Sequence, residues 1–401
     1  MSIGNFSKPE RRKLGSIGTL WFKGQPFKKT DIVETGKYPC LHYGELFSKY
    51  GAIIDSVSSR CDVPPKRLSQ KGDILFPASD VTPAGLTRCS AIMQEDVILG
   101  GDVIGFRPQT GLNPIYLSYA IRHQKDQLLQ RVTGALIKHI SAKSLQSVII
   151  PIHPIESQNR FEKQVRHLNR IISHRRTQLA KLDELVKCRF VEMFGDMIYN
   201  PNKWEEKALQ SVADIVSGIT KGRKISDTKL IEVPYMAVCN VKDGYIDWTN
   251  LKTILATNKE IEQYRILEND VLMTEGGDPD KVGRGAIISS PPNNCIHQNH
   301  IFRVRLSEEV EAIYFEQYLQ QPKARQYFYR SAKQTTGIAS INMSQLKAMP
   351  VLLPPLALQE QFAEFVRRID KLRFVVETSH NHKHFTICGL VYFLCKSKVE
   401  S

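Results

Sequence analysis

The feature that most constrains this chain is an internal repeat. GDILFPASD around Asp73 recurs as NDVLMTEGGD around Asp270, and PIYLSYAIRHQ recurs as AIYFEQYLQQ. GALIKHISAKSLQSVIIPIHPIESQNRFEKQV then recurs as TGIASINMSQLKAMPVLLPPLALQEQFAEFV. In the last block Leu145 pairs with Leu346 and Phe161 with Phe362, both 201 residues apart. Several blocks recurring in one order make a duplicated structural unit the simplest account. The 401 residues therefore divide into two similar halves rather than one large domain.

Each half follows one plan. Short runs rich in Val, Ile and Phe, such as GDILF, DVIGF, DVLMT and HIFRVRL, read as strands broken by Gly, Pro and Asn. A helical stretch follows the Ile-Tyr dipeptide. A short apolar run then ends in prolines, IIPIHP or VLLPPL, which suit the start of the next helix. That helix carries Phe161, Val165, Leu168, Ile172, Leu179, Leu182 and Val186 at heptad spacing, interrupted once at Arg175. Phe362, Val366, Ile369 and Val376 repeat the register. A rod of about 50 Å with one apolar stripe needs a partner, and its duplicate suggests an antiparallel pair relating the halves by an approximate two-fold axis. The expected class is α+β: two mixed α/β modules joined and spaced by two long antiparallel coiled-coil helices. The expected boundaries are 1–155 for the first module, 156–200 for the central helix, 201–356 for the second module, and 357–401 for a C-terminal helix with an atypical tail.

Charge points to a polyanionic partner. Lys and Arg number 55 against 41 acidic residues, a formal charge of +14. The eight cysteines form no C-x-x-C pair, which argues against a zinc site, and scattered thiols suit the cytoplasm. The longest apolar stretch, Phe385 to Cys395, is too short to span a bilayer. Two modules held apart by a rod can grip equivalent groove faces of B-DNA, which recur about every 34 Å. Readers of base edges and phosphates are sought on loops. The candidates are Lys23, Gln25, Lys28, Lys29, Lys138 and His139 in the first half. In the second half they are Lys221, Arg223, Lys224, Gln298, Asn299, His300, Lys333 and Gln334.

No catalytic constellation is read. SPPNN has the prolines but not the following aromatic of an adenine methyltransferase motif. GGDPDKVGRG lacks the spacing of a phosphate loop. His297 and His300 have no evident third ligand, so no metal site is assigned.

DIVSGITKGRK, VPYMAVCNVKDGYIDW, CIHQNHIFRVR, TTGIASINMSQL and LPPLALQEQFAEFVRRIDKL together resemble the specificity subunits of type I restriction–modification enzymes. The resemblance spans roughly Lys13 to Leu372. It implies a non-catalytic subunit whose modules each read one half of a split, asymmetric site in double-stranded DNA. It implies docking of methyltransferase subunits, two of them, on the paired helices, for which Phe161, Val165, Leu168, Ile172, Leu179, Leu182, Val186, Phe362, Val366 and Ile369 are the candidate partner-binding residues. Restriction/translocase subunits complete such complexes, and S-adenosylmethionine, ATP and Mg belong to partner subunits. The recognition part of another restriction–methyltransferase system, and a coiled-coil protein adaptor, remain alternatives. The tail departs from the family: His380 and Lys383 stand opposite Leu179 and Leu182 in the repeat, so the second helix is expected to stop pairing near Thr378.

Overall fold

The computed structural model describes residues 9–21, 24–224, 229–278, 282–335 and 338–395, with side chains at 334, 335, 338 and 379–395 excepted. The chain falls into two compact units, residues 1–176 with 377–401, and residues 177–376.

The first unit is built on a five-stranded sheet. Its order is Gly18–Trp21, Val103–Pro108, Ile74–Pro77, Ser90–Ile92, Ile53–Ile54. A second sheet sets Ile98–Leu99 parallel to Tyr38–Leu41. The second unit repeats the arrangement. Ala213–Ser217, Ile301–Leu306, Val271–Thr274 and Gly285–Ile287 form one sheet, and Ile296–His297 runs parallel to Ile231–Met236 in another. The central strands are covered on both faces: all four residues of Ile74–Pro77 and of Val271–Thr274 are buried.

The repeat extends to individual interactions. Asp73, 1% exposed, holds Arg107 through two bonds of 2.9 Å, and Asp270, also 1% exposed, holds Arg305 at 2.7 and 2.8 Å. Such bidentate pairs cross-tie neighbouring strands. The Tyr116 hydroxyl donates to the Pro151 carbonyl, and that of Tyr314 to the Leu352 carbonyl, each at 2.7 Å. Buried Gln158 accepts from the Asn113 backbone N–H, and buried Gln359 from that of Glu311. These glutamines satisfy orphan donors at helix N-termini, which ties each long helix to the short helix before it.

The proline-ended strands Ile149–Ile152 and Pro350–Leu353 lead into the helices Ile155–Phe194 and Leu356–Cys395, each of 40 residues, about 60 Å at 1.5 Å per residue. The first long helix is thus longer than its heptad seam alone indicated. Within the second unit the two helices run antiparallel: Asp183 pairs with Arg373 at 2.6 Å, and Phe190 meets Phe362 at 5.4 Å between ring centres. The second helix continues to Cys395. The expected loss of pairing after Thr378 concerns side chains outside the described residues.

The seam residues read as a partner surface are instead this chain's own core. Phe161, Val165 and Leu168 pack in the first unit, with the Phe161 ring 5.8 Å from Tyr116 and 5.5 Å from Tyr119. Val186, Phe362, Val366 and Ile369 pack in the second, with Leu182 against them. Ile172 is buried and Leu179 half-buried. A partner could touch the buried ones only by opening the modules.

Candidate nucleic-acid interface

The two modules place loops at the same topological position, the carboxyl end of the parallel strand pair. In the first unit Gln25 bridges to Gly100 beside the end of Ile98–Leu99. In the second Ile219 bridges to Gln298 beside the end of Ile296–His297. A glycine precedes each bridge because the backbones nearly touch: a Cβ on Gly24 would lie 2.1 Å from the Leu99 carbonyl oxygen, and one on Gly218 2.0 Å from that of His297. Gly218 therefore serves packing between segments. The backbone registers continue through the loops, for the Ala78 N–H donates to the Asp102 carbonyl as the Glu275 N–H does to that of His300. Gly100, Gly101 and Asp102 thus stand where the second module has Gln298, Asn299 and His300. One scaffold carries different side chains at its loop ends.

In the first unit these loops surround an open cavity of about 550 Å³ lined by Gly24, Pro26, Phe27, Lys28, Asp31, His42, Tyr43, Gly101 and Asp102. Lys28 and Lys29 are exposed there on a short turn whose first N–H, that of Lys28, is capped by Asp31 at 2.7 Å. Asp102 accepts from the Ser79 hydroxyl at 3.1 Å. This places beside the cavity the strand that pairs with Lys138 and His139. Lys138 folds its ammonium onto the Gly134 and Ala135 carbonyls, at 2.9 and 2.8 Å, and His139 is exposed.

Gln25 is not a base reader. It is 4% exposed, and its amide donates to the Pro64 carbonyl while accepting from the Lys66 and Arg67 N–H groups. Its oxygen and one amide hydrogen clamp the 64–67 loop. Lys23 and the Gln334 side chain lie outside the described residues.

In the second unit Lys221, Lys224 and Lys333 are exposed. Arg223 is held inward: its guanidinium makes a bidentate pair with Glu260 at 2.5 and 2.7 Å and donates to the Leu255 carbonyl at 3.0 Å. That contact is the main reason the Glu260 carboxyl is pushed down to about 2. Arg223 thus anchors the loop to the helix Asn258–Tyr264 and its phosphate-binding role falls away. Gln298 and Asn299 are half-buried, with the Gln298 side-chain Oε1 accepting weakly from the Val238 backbone N–H at 3.4 Å. His300 is exposed and meets Glu275 at 2.6 Å. Its neighbour His297 is fully buried between the Tyr264 and Val216 carbonyls, and burial pushes its imidazole down to about 4. A neutral ring sealed in this way is a structural histidine. Among the described residues no group of three or more His, Cys, Asp or Glu is placed to hold a metal ion, and no helix is long and apolar enough to cross a membrane.

Phe27, Asp31, His42, Tyr43 and Asp102 are absent from the loop candidates read in the sequence. The usable signal is the alignment of ILGGDVIGF with CIHQNHIFRV, which sets Asp102 opposite His300. For His42 and Asp31 no local signal exists.

The model of the type I restriction modification DNA specificity domain matches residues 7–183 and again 201–382. The chain belongs to that family. The specificity subunit of the type I restriction enzyme EcoKI from Escherichia coli (strain K12) is 22% identical over 302 residues, covering 72% of this chain and 62% of that protein. The EcoBI specificity subunit from Escherichia coli is 23% identical over 295 residues, covering 65% and 59%. The matches thus span about six tenths of those relatives' length. Among solved structures, the type I restriction–modification S subunit from M. genitalium covers 99% of this chain and 98% of its own at a TM-score of 0.56 and 14% identity. A chain from a study of type I R-M complex assembly and conformational transition covers 98% of each at 0.53 and 16%. These two likenesses show a shared fold. The family model matching once per repeat agrees with the duplicated loop position.

Proposed function

We propose that this chain is the DNA-reading specificity subunit of a type I restriction–modification complex. Each module reads one half of a bipartite, asymmetric site, and the long helices space the two halves. The observation that carries the reading is the duplicated scaffold with divergent loop ends, Gly100, Gly101 and Asp102 against Gln298, Asn299 and His300. Identical frames with different side chains at one position are what reading two unlike half-sites requires. Adenine methylation, ATP-driven cleavage and the S-adenosylmethionine, ATP and Mg they need fall to methyltransferase and restriction subunits. Since the heptad seam is internal, the partner surface is assigned to exposed residues of the second long helix, Leu372, Phe374 and Val375.

The test is a module exchange. Replacing residues 1–155 by the equivalent module of another family member, in the complex with its methyltransferase, should change one half of the methylated site and leave the other intact. A change in both halves, or none, refutes modular reading.

A second measurement concerns phosphate contact. Lys221→Ala should weaken binding to all duplex sequences about equally and reduce the salt slope by about one unit, as loss of one phosphate contact does. Arg223→Ala should instead act through stability, because its guanidinium is spent on Glu260. An unchanged salt slope for Lys221→Ala removes this lysine from the interface.

A further inference from the structure

The cavity in the first unit has a chemistry that phosphate binding does not explain. Two of its lining residues, Asp31 and Asp102, are carboxylates, which repel a phosphate and accept from an amine. The aromatic wall is His42, whose ring lies 5.9 Å from Phe27 and 4.6 Å from Tyr43. The Gly44 backbone N–H donates to His42 Nδ1 at 3.2 Å. A ring nitrogen that accepts carries no proton, so the ring hydrogen lies on Nε2, which offers a donor. One oxygen of Asp31 is taken by the Lys28 N–H, and the other is left to accept. The cavity therefore combines an acceptor, a donor and flat apolar walls.

We propose that this cavity receives the major-groove edge of an adenine in the half-site read by the first module, with Asp31 accepting from the N6 amine and His42 Nε2–H donating to N7. Adenine alone among the four bases presents a donor and an acceptor side by side on that edge. Guanine presents two acceptors, which would set its O6 against the Asp31 carboxylate. Lys28, exposed at the rim, is placed to neutralise the adjoining backbone. Asp31 and His42 are then specificity-determining residues, and the second module, with Ala237 and Val238 following the strand Ile231–Met236 where the first has His42 and Tyr43 following Tyr38–Leu41, reads its base by other groups.

The inference rests on the DNA-reading function proposed above, and the experiment separates the two. The full chain with its methyltransferase partner is used to select bound duplexes from a randomised DNA pool, and the aligned sequences are read position by position. The wild type should show one fixed A·T pair in the first half-site that depends on Asp31. Asp31→Asn keeps an oxygen for the Lys28 N–H and so preserves the turn, but presents an amide donor in place of the acceptor. It should lower the preference for that A·T pair tenfold or more, with the second half-site unchanged. His42→Ala should relax the same position. If both variants retain the wild-type preference everywhere, or if the position they relax is a G·C pair in the wild type, the adenine assignment is overturned. If the wild type selects no sequence at all, the DNA-reading function itself fails.

Discussion

Replacing Phe362 by alanine is expected to destabilise the second unit by about 3–5 kcal/mol, the usual loss for a fully buried aromatic ring. Phe362 is 0% exposed, and its ring meets Phe190 and Phe194 edge-on, both at 5.4 Å. Phe190 in turn stacks on Tyr314 at 5.6 Å with an interplanar angle of 12°. The three elements joined here are the ends of two long helices and the short helix Ala312–Leu319. A cavity at Phe362 therefore loosens the helix pair as well as the module. In thermal unfolding the transition of this unit should fall by about 10 °C or more. Phe365→Ala is the control: Phe365 is only half-buried, beneath Arg189 at 5.9 Å, and should cost less than half as much. A Phe362→Ala effect no larger than the control would mean that the seam is not core.

Glu316→Gln is expected to stabilise the second unit above neutral pH and to have no such effect in acid. Glu316 is 8% exposed and accepts from the Ile287 N–H at 2.8 Å. Burial pushes its carboxyl up to about 7, assisted by Asp370 and opposed by the Ile287 N–H, a Gln317 hydrogen bond and Arg373. A carboxyl with a raised folded-state pKa binds its proton more tightly when folded than when unfolded. Its favourable contribution is complete below the ordinary value of 4.5 and is lost as pH rises through about 7. At about 1.4 kcal/mol per pH unit, the wild type should lose on the order of 3 kcal/mol across that window relative to the glutamine variant. Glutamine keeps the acceptor for Ile287 and removes the charge. Unfolding measured by denaturant at pH 4.5 and pH 8 checks the sign, and an equal difference at both pH values refutes it. The first unit supplies an internal comparison. Ser118 occupies the position equivalent to Glu316 and donates to the Ile115 carbonyl at 2.8 Å, so this position carries no carboxyl in the first unit.

The candidate loops lie at equivalent positions of the two modules, and not every candidate side chain on them faces outward. Lys28 lines the cavity of the first module, and Gln298 stands at the matching bridge of the second, with Lys221 two residues beyond that bridge's other partner, Ile219. Gln25 and Arg223, candidates of the same residue types, are turned inward. Residue type announces what a side chain can bond to, while the partner that takes up the bond comes from elsewhere in the chain. For Gln25 that partner is 41 residues away, and for Arg223 it is 37.

The duplication, the strand runs, the prolines that start the long helices, and the stripe on each helix that had to be buried are all legible in the residue order. These follow from local rules: backbone propensity, side-chain period and the exclusion of apolar surface from water. What buries that stripe depends on contacts between distant segments. A heptad pattern demands an apolar partner without naming it, and Phe161, Val186 and Phe362 find theirs in the modules. The cavity was likewise invisible, because Gly24, Asp31, His42 and Asp102 are brought together by a parallel strand pair, Cys40 beside Ile98. Parallel pairing joins segments far apart in sequence through a crossover, and no local periodicity records which strand will lie alongside which.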